Sequence, residues 1–161
     1  NHWYNGIEPN NSWGCFGIEL DGADAYEIGS GLQNTLDIVN GCSEVTAASR
    51  CFEANINGYD DWYLPSIDEL YEMYLQFQFN GLGEFETNNG NNGYYWSSTE
   101  FSNIGALFIE FGREDLEYEE IGDDNKGHSE ENNQFLPCSC VSIIRTSLLL
   151  TLGLRSFFIN S

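Results

Sequence analysis

The stretch from Leu64 to Glu69 constrains the fold of this chain more than any other part of the sequence. Leu64 must be extended, because the residue before a proline is kept out of the helical region, whereas Pro65 suits the first turn of a helix. Ser66 and Glu69 have the spacing of a capping box, in which each side chain accepts a hydrogen bond from the other residue's backbone N–H. The sequence therefore predicts a helix that begins at Ser66.

An apolar stripe continues this helix to about Asn80, where Asn80-Gly81 ends it. The stripe is formed by side chains spaced i, i+3, i+4 and i+7, the pattern of an amphipathic helix that packs on a core: Leu70, Met73, Tyr74 and Phe77. Trp62 and Trp96 are also expected to be largely buried.

Other elements follow from local patterns. A short helix is predicted before a C-cap glycine at Gly41, and a second over about Ser43 to Ala54, with Ala47, Ala48 and Cys51 on its packed face. Strands are predicted by β-branched and aromatic runs, and these runs are Tyr94 to Thr99, Ala106 to Phe111 and Val141 to Thr146.

The charge balance excludes several partners. The chain has 26 acidic and 5 basic residues, a formal net charge of −21. Nucleic acids are bound through clustered Lys and Arg, so nucleic acid is not expected as a partner, and membrane insertion is not expected because no apolar run has spanning length. With this net charge, the carboxylates repel one another in the compact folded state. Bound divalent cations would reduce this repulsion, as would assembly that places acidic surfaces outward.

The acidic segment Arg113 to Glu131 contains nine carboxylates and allows two interpretations. It is either a solvated loop or a loop organised by a cation, for which calcium is the candidate. Its spacing does not follow the EF-hand pattern. The candidate metal ligands are Glu114, Asp115, Asp123 and Asp124.

Five cysteines are typical of an extracellular protein, and an odd number leaves at least one thiol outside any internal bridge. Cys51 lies on an inward helix face and is predicted to bond to the Cys138/Cys140 pair, with Cys140 preferred because that pair enters a core strand. Cys15 with Cys42 is the second predicted bridge. The alternative is five reduced cysteines in the core.

Asn10-Asn11-Ser12 is an N-glycosylation sequon in a turn-forming segment, so Asn10 is a predicted glycosylation site.

The last stretch of the sequence is nearly uncharged and strongly apolar. It divides the chain into a domain at 1–146 and an extension at 147–161. Leaving its side chains in water would forgo roughly 10 kcal/mol of apolar burial, so it is predicted to pair as a strand, with a neighbouring subunit or with a vacant edge of its own domain. The predicted assembly residues are Leu148, Leu150, Leu152, Leu154, Phe157 and Ile159.

No catalytic pattern is present in the sequence. Its two histidines, His2 and His128, lie in no recognisable motif, and no metalloprotease, nucleophile-elbow or C-x-x-C signature occurs. The protein is therefore predicted not to be an enzyme.

Several motifs occur in order along the chain: Trp3-Tyr4-Asn5-Gly6, Gly29-x-Gly31-x-x-Asn34-Thr35, Ala47-Ala48-x-x-Cys51, Gly58-Tyr59-x-Asp61-Trp62-x-Leu64-Pro65-Ser66-x-Asp68-Glu69-Leu70, Tyr95-Trp96-Ser97-Ser98-Thr99 and Val141-x-Ile143-Ile144-Arg145. This ordered set resembles the Lcl C-terminal domain family of bacterial surface adhesins. The resemblance implies an α+β, C-type lectin-like domain, with two helices packed on small twisted antiparallel sheets and long irregular loops, at the cell surface. The founding adhesin is thought to bind sulphated polysaccharides, which a chain of net charge −21 would repel.

Two functions are compatible with these features. The first is a structural subunit of an extracellular bacterial filament or surface appendage, assembled from copies of itself by strand pairing. The second is a glycan-binding surface adhesin, in which aromatic side chains stack on sugar rings and calcium assists. Its candidate aromatics are Trp13, Trp62, Tyr63, Tyr94 and Tyr95, although most of these are expected to lie in the core.

Overall fold

The helices and strands of this chain form an α+β arrangement. The computed structural model describes residues 12–55, 58–80, 93–111, 117–118, 122–126 and 140–142. Within them lie three helices, α1 to α3, and five strands, β1 to β5, where the family resemblance implies two helices. In chain order they are α1 (Gly31–Gly41), α2 (Ala47–Phe52), β1 (Trp62–Tyr63), α3 (Ile67–Asn80), β2 (Gly93–Ser102), β3 (Gly105–Phe111), β4 (Gly122–Asn125) and β5 (Val141–Ser142).

The capping box at the start of α3 is confirmed. Ser66 donates its backbone N–H to Glu69 Oε2 at 2.9 Å, and the Glu69 N–H donates to Ser66 Oγ at 3.4 Å. Leu70, Met73 and Tyr74 are buried, as the apolar stripe predicts. The side chain of Phe77 lies outside the described residues.

Glu69 also fixes α1 against the start of α3. Its Oε1 accepts from the N–H of Gly29 at 2.9 Å and from the Tyr63 hydroxyl at 3.3 Å. The approach is close enough to require glycine at position 31, because a Cβ there would lie 2.7 Å from Ser66 N. One buried carboxylate thus joins two helix starts and a strand.

Replacing Ser66 with alanine is expected to lower the free energy of unfolding by about 1 kcal/mol, the usual value of a side-chain N-cap. Ser30 is the matched control, because its side chain accepts no capping hydrogen bond, while its Oγ donates to Glu27 O as the Oγ of Ser66 does. Ser30→Ala is expected to cost a few tenths of a kcal/mol at most. Urea denaturation followed by tryptophan fluorescence measures both, and equal losses would contradict the capping role of Ser66.

The ends of the two shorter helices differ from the sequence predictions. Gly41 lies within α1, and the C-cap is Cys42 in an extended conformation (φ −114°, ψ 126°), so the predicted C-cap glycine is wrong. Helix α2 begins after Thr46, whose side chain accepts from the Ser49 N–H in a second capping box, and it ends at Phe52. The prediction of a longer α2 is therefore wrong at both ends, but its packed face is confirmed, since Ala47, Ala48 and Cys51 are buried.

Two antiparallel sheets complete the described fold. One has the order β2-β3-β4, with Trp96 opposite Phe108, and the other pairs β1 with β5, with Trp62 opposite Ser142. Trp62 and Trp96 are buried, which confirms that prediction. A second core cluster, between α3 and the three-stranded sheet, places the Phe111 ring edge-on to Tyr95 at 4.8 Å between ring centroids.

Part of the acidic segment is a strand, so the interpretation of the whole segment as a solvated loop is wrong. Gly122–Asn125 pairs with β3, with Asp123 opposite Leu107 and Asp124 opposite Ala106. The physical reason is that the outer edge of β3 offers main-chain donors and acceptors, which pair with any backbone irrespective of its side chains.

Tyr118 attaches a further part of this segment to α3. Its hydroxyl donates to Asp68, and its ring lies edge-on to Tyr71 at 5.2 Å between centroids. The hydrogen bond to Asp68, followed by desolvation, raises the pKa of Tyr118 from 10.0 to about 12. The folded state thus favours the neutral phenol, and this contribution to stability holds below pH 10 and is lost as the pH rises through about 12.

Residues 12–30 form neither helix nor strand, yet they lie against the three-stranded sheet. Trp13 Nε1 donates to Ser97 O at 2.7 Å, and Thr99 Oγ1 donates to Ala25 O at 3.0 Å. The Glu100 N–H donates to Ala23 O at 2.7 Å. This segment, called the covering segment below, thus occupies part of the outer edge of β2.

Candidate functional site

A buried ion pair joins the end of β2 to the residue that follows β4. Lys126 is 0% exposed and Glu100 is 5% exposed, and the Lys126 ammonium contacts the Glu100 carboxylate. Lys126 Nζ also donates to Ile18 O at 2.9 Å and lies 4.8 Å from the Trp13 ring centroid. Both Glu100 oxygens accept from the Leu20 N–H, at 3.0 and 3.2 Å. Each charge is therefore compensated by its partner and by hydrogen bonds.

The sheet register positions this pair. Glu100 lies opposite Ala106, which in turn lies opposite Asp124, so the strand order brings residue 126 to the same end of the sheet as residue 100. The Lys126 main chain then joins two turns, because its N–H donates to Ile104 O at 2.9 Å and its carbonyl accepts from the Gly14 N–H at 3.0 Å. Main-chain hydrogen bonds around Glu100 and around Lys126 thus fix the positions of both members of the ion pair.

A surface depression of about 400 Å³ adjoins the pair, and Glu100 is one of its lining residues. Its rim carries three exposed carboxylates, those of Glu19, Asp21 and Asp24. A concave surface lined by one sign of charge concentrates groups of the opposite sign. The arrangement therefore suits a cationic side chain or ligand and opposes an anionic one.

The structure brings the predicted cysteines together in two bridges. Cys51 is bonded to Cys140 with a Cα–Cα distance of 5.4 Å, and Cys15 is bonded to Cys42 at 5.9 Å. These are the two pairs that the sequence analysis names, and the alternative of five reduced cysteines is wrong. Cys138 lies outside the described residues.

The remaining predicted sites are located only in part. Asp123 and Asp124 lie on β4, whereas Glu114, Asp115, Asn10 and residues 148–159 lie outside the described residues. Among the residues that the structure does describe, one group of three potential metal ligands converges, Cys15, Cys42 and Glu44, and two of these are joined in a disulfide. Calcium binding by the acidic segment stays a prediction.

Four of the five aromatics named for stacking on sugars, Trp13, Trp62, Tyr63 and Tyr95, are buried, which agrees with the expectation that most of them belong to the core. Their polar atoms are occupied within the fold, as when Trp62 Nε1 donates to Tyr59 O at 2.9 Å. Tyr94 is half-buried. A sugar ring cannot reach the buried faces without unfolding the core.

Comparison with protein-family models, with curated proteins and with solved structures gives no match to this chain. The resemblance to the Lcl C-terminal domain family therefore depends on the sequence motifs alone.

Sequence reasoning did not identify Glu100 or Lys126 as partners. One signal was present: Lys126 is the only lysine in the chain, in a segment dominated by carboxylates. A second was Glu100 at the end of a strand whose preceding residues, Ser97 to Thr99, are all buried. Neither signal identifies the partner, because the two residues meet only through the register of β2, β3 and β4.

None of the described helices is long and apolar enough to cross a membrane.

Proposed function

We propose that this protein is a non-enzymatic structural subunit of an extracellular bacterial filament or surface appendage, assembled by strand pairing between copies. The observation that carries the proposal is a contrast within the sequence. The chain has a net charge of −21, yet residues 141–161 contain no carboxylate and hold most of their large side chains as Leu, Ile or Phe. A segment of that composition requires burial, and a strand contributed to a neighbour provides it.

Two disulfides support an extracellular location. Such bridges persist in oxidising compartments and are rare in reducing ones, and each here lies in the core, with all four cysteines buried. A subunit held by buried bridges can keep its fold outside the cell, where an appendage operates.

The described sheets offer edges for strand pairing. β4 is the outer strand of the three-stranded sheet, and β5 is the outer strand of the two-stranded sheet. Within the described residues, neither strand has a second strand neighbour. An unpaired edge accepts an extended segment through main-chain hydrogen bonds, which is what assembly by strand pairing requires.

A C-type lectin-like architecture is part of this proposal. The α+β arrangement, the small antiparallel sheets and the irregular covering segment are compatible with it. The motifs that carry the family resemblance lie at structural positions, namely the capping box of α3 and the buried Trp62 and Trp96. The glycan-binding alternative has lost most of its proposed stacking surface, so assembly is the better-supported function.

Removing residues 148–161 is expected to abolish filaments and to leave a folded, soluble monomer, because the strand donated to the neighbour is lost. Electron microscopy and sedimentation velocity measure assembly, and circular dichroism measures folding. In the full chain, Leu152→Asp is expected to have the same effect.

Thr151→Asp is the matched control for Leu152→Asp, since it introduces the same charge one residue away. Successive residues of a strand point to opposite faces, so the control should assemble more readily than Leu152→Asp. Unfolding of the shortened domain would instead support a segment that completes its own domain, and filaments that persist without residues 148–161 would reject the proposed function.

A further inference from the structure

Four large apolar side chains are exposed on two neighbouring turns of the structure. Phe16 and Ile18 belong to the covering segment and are 53% and 49% exposed, while Phe101, near the end of β2, and Ile104, in the β2–β3 turn, are 57% and 50% exposed. We call these four residues the apolar patch. Single exposed apolar residues are ordinary, but groups of them mark interaction sites.

Main-chain hydrogen bonds hold the two turns together. The Gly17 N–H donates to Asn103 O at 2.8 Å, which places residues 16–18 beside residues 102–104. Lys126 joins the same turns from below, because its Nζ donates to Ile18 O and its backbone N–H donates to Ile104 O, both at 2.9 Å. The patch therefore lies on a preorganised surface, which reduces the entropy lost on binding.

The acidic depression adjoins the apolar patch. Phe101 belongs to both, and Glu19, on the rim of the depression, directly follows Ile18. The combined surface presents apolar area next to three exposed carboxylates. It therefore selects a partner that is apolar and positively charged, and it repels the acidic surface that most of this chain presents.

One segment of the chain has that composition. Residues 148–159 are mostly Leu, Phe and Ile, contain no carboxylate, and carry Arg155. The chain has 5 basic residues in all, so a cation inside its most apolar stretch is a specific match to an acidic rim.

We propose that residues 148–159 of one copy dock on the apolar patch of another copy, with Arg155 placed at the acidic depression. The inference rests on the proposed function and adds a side-chain contact to its main-chain pairing, since the patch lies at the end of the sheet where the outer strand β4 also ends, with Asn125 opposite Gly105. Segment and patch are different parts of the chain, so the contact is heterologous, and a heterologous contact that does not close on itself propagates into a filament.

Photo-cross-linking in the full chain tests the contact directly. A photoreactive phenylalanine analogue replaces Phe101 in one preparation and Val45, which is 60% exposed and outside the patch, in the control. Each preparation is mixed with isotope-labelled chains before illumination, and cross-linked peptides are identified by mass spectrometry. We expect cross-links from position 101 to residues 148–159 of the differently labelled chain, and none to that segment from position 45. Cross-links that join only residues of the same chain, or none to residues 148–159, would overturn the inference.

Substitutions separate this inference from the proposed function. Phe101→Ser is expected to weaken assembly at least about tenfold, from the apolar area it removes, while Val45→Ser leaves assembly unchanged. Arg155→Asp should weaken assembly, and Asp21→Arg in the same chain should restore part of it. If Leu152→Asp abolishes filaments but Phe101→Ser does not, the docking surface is wrong and the proposed function stands. If neither affects filaments, the proposed function itself is wrong.

Discussion

Replacing Lys126 with methionine is expected to lower the free energy of unfolding by about 3–5 kcal/mol, the usual loss when one member of a buried ion pair is removed. Methionine preserves much of the volume of the lysine stem, so the main change is electrostatic. Glu100, 5% exposed, would lose its cationic partner, and Ile18 O would lose a donor. Urea denaturation followed by circular dichroism and fluorescence measures the loss.

Two comparisons isolate the charge effect. Adding Glu100→Gln to Lys126→Met removes the buried charge and retains an acceptor for the Leu20 N–H, so the double variant is expected to regain most of the lost stability. Arg50→Met changes the net charge by the same amount, but Arg50 lies in the last turn of α2, where a cation is worth about 1 kcal/mol or less. A double variant as unstable as Lys126→Met would show that the loss comes from packing instead of charge.

Removing the Cys51–Cys140 bridge by alanine substitution of both cysteines is expected to lower the free energy of unfolding by about 4–5 kcal/mol. The reason is that the bridge spans 89 residues, and the unfolded chain gains conformational entropy when a loop of that length is opened. The Cys15–Cys42 bridge spans 27 residues, and its removal is expected to cost about 3–4 kcal/mol on the same basis.

Both bridge variants are best prepared with Cys138→Ala, because an unpaired thiol can exchange with a neighbouring disulfide. The midpoints of urea unfolding and the slopes of unfolding free energy against urea concentration are then compared under one set of conditions. The entropic account predicts that opening the longer loop costs more. A larger loss from the 15–42 pair would contradict it and would point to native-state packing at that bridge.

The parts of the fold that the sequence predicts correctly have local causes. Ser66 and Glu69 are three residues apart, and their reciprocal hydrogen bonds follow from that spacing alone. The buried face of α2 likewise follows from helical periodicity. The sequence does not predict the start of α2, although Thr46 and Ser49 have the same spacing as Ser66 and Glu69, because the usual capping box has Glu or Gln at its last position.

The features that sequence reasoning missed depend on contacts between distant parts of the chain. β4 consists of glycine, two aspartates and asparagine, which disfavour strands, and it is a strand because β3 has an outer edge to pair. The burial of Trp13 follows from a hydrogen bond to Ser97, 84 residues away. The acidic depression and the apolar patch could not be predicted for the same reason, since main-chain hydrogen bonds between the covering segment and residues 100–103 bring their residues together.

The covering segment has a consequence for the order of folding. Lacking helix and strand, it gains little from its own local contacts, and its ties reach Ser97, Glu100 and, across 108 residues, Lys126. Contacts of such sequence separation form slowly, because loop-closure entropy must be overcome before they add stability. We therefore expect the amides of residues 13–20 to gain protection from hydrogen exchange after those of β2 and β3. A ribosome makes this segment before Ser97, Glu100 and Lys126, so these three ties form only once those residues have emerged, whereas the Cys15–Cys42 bridge can form earlier.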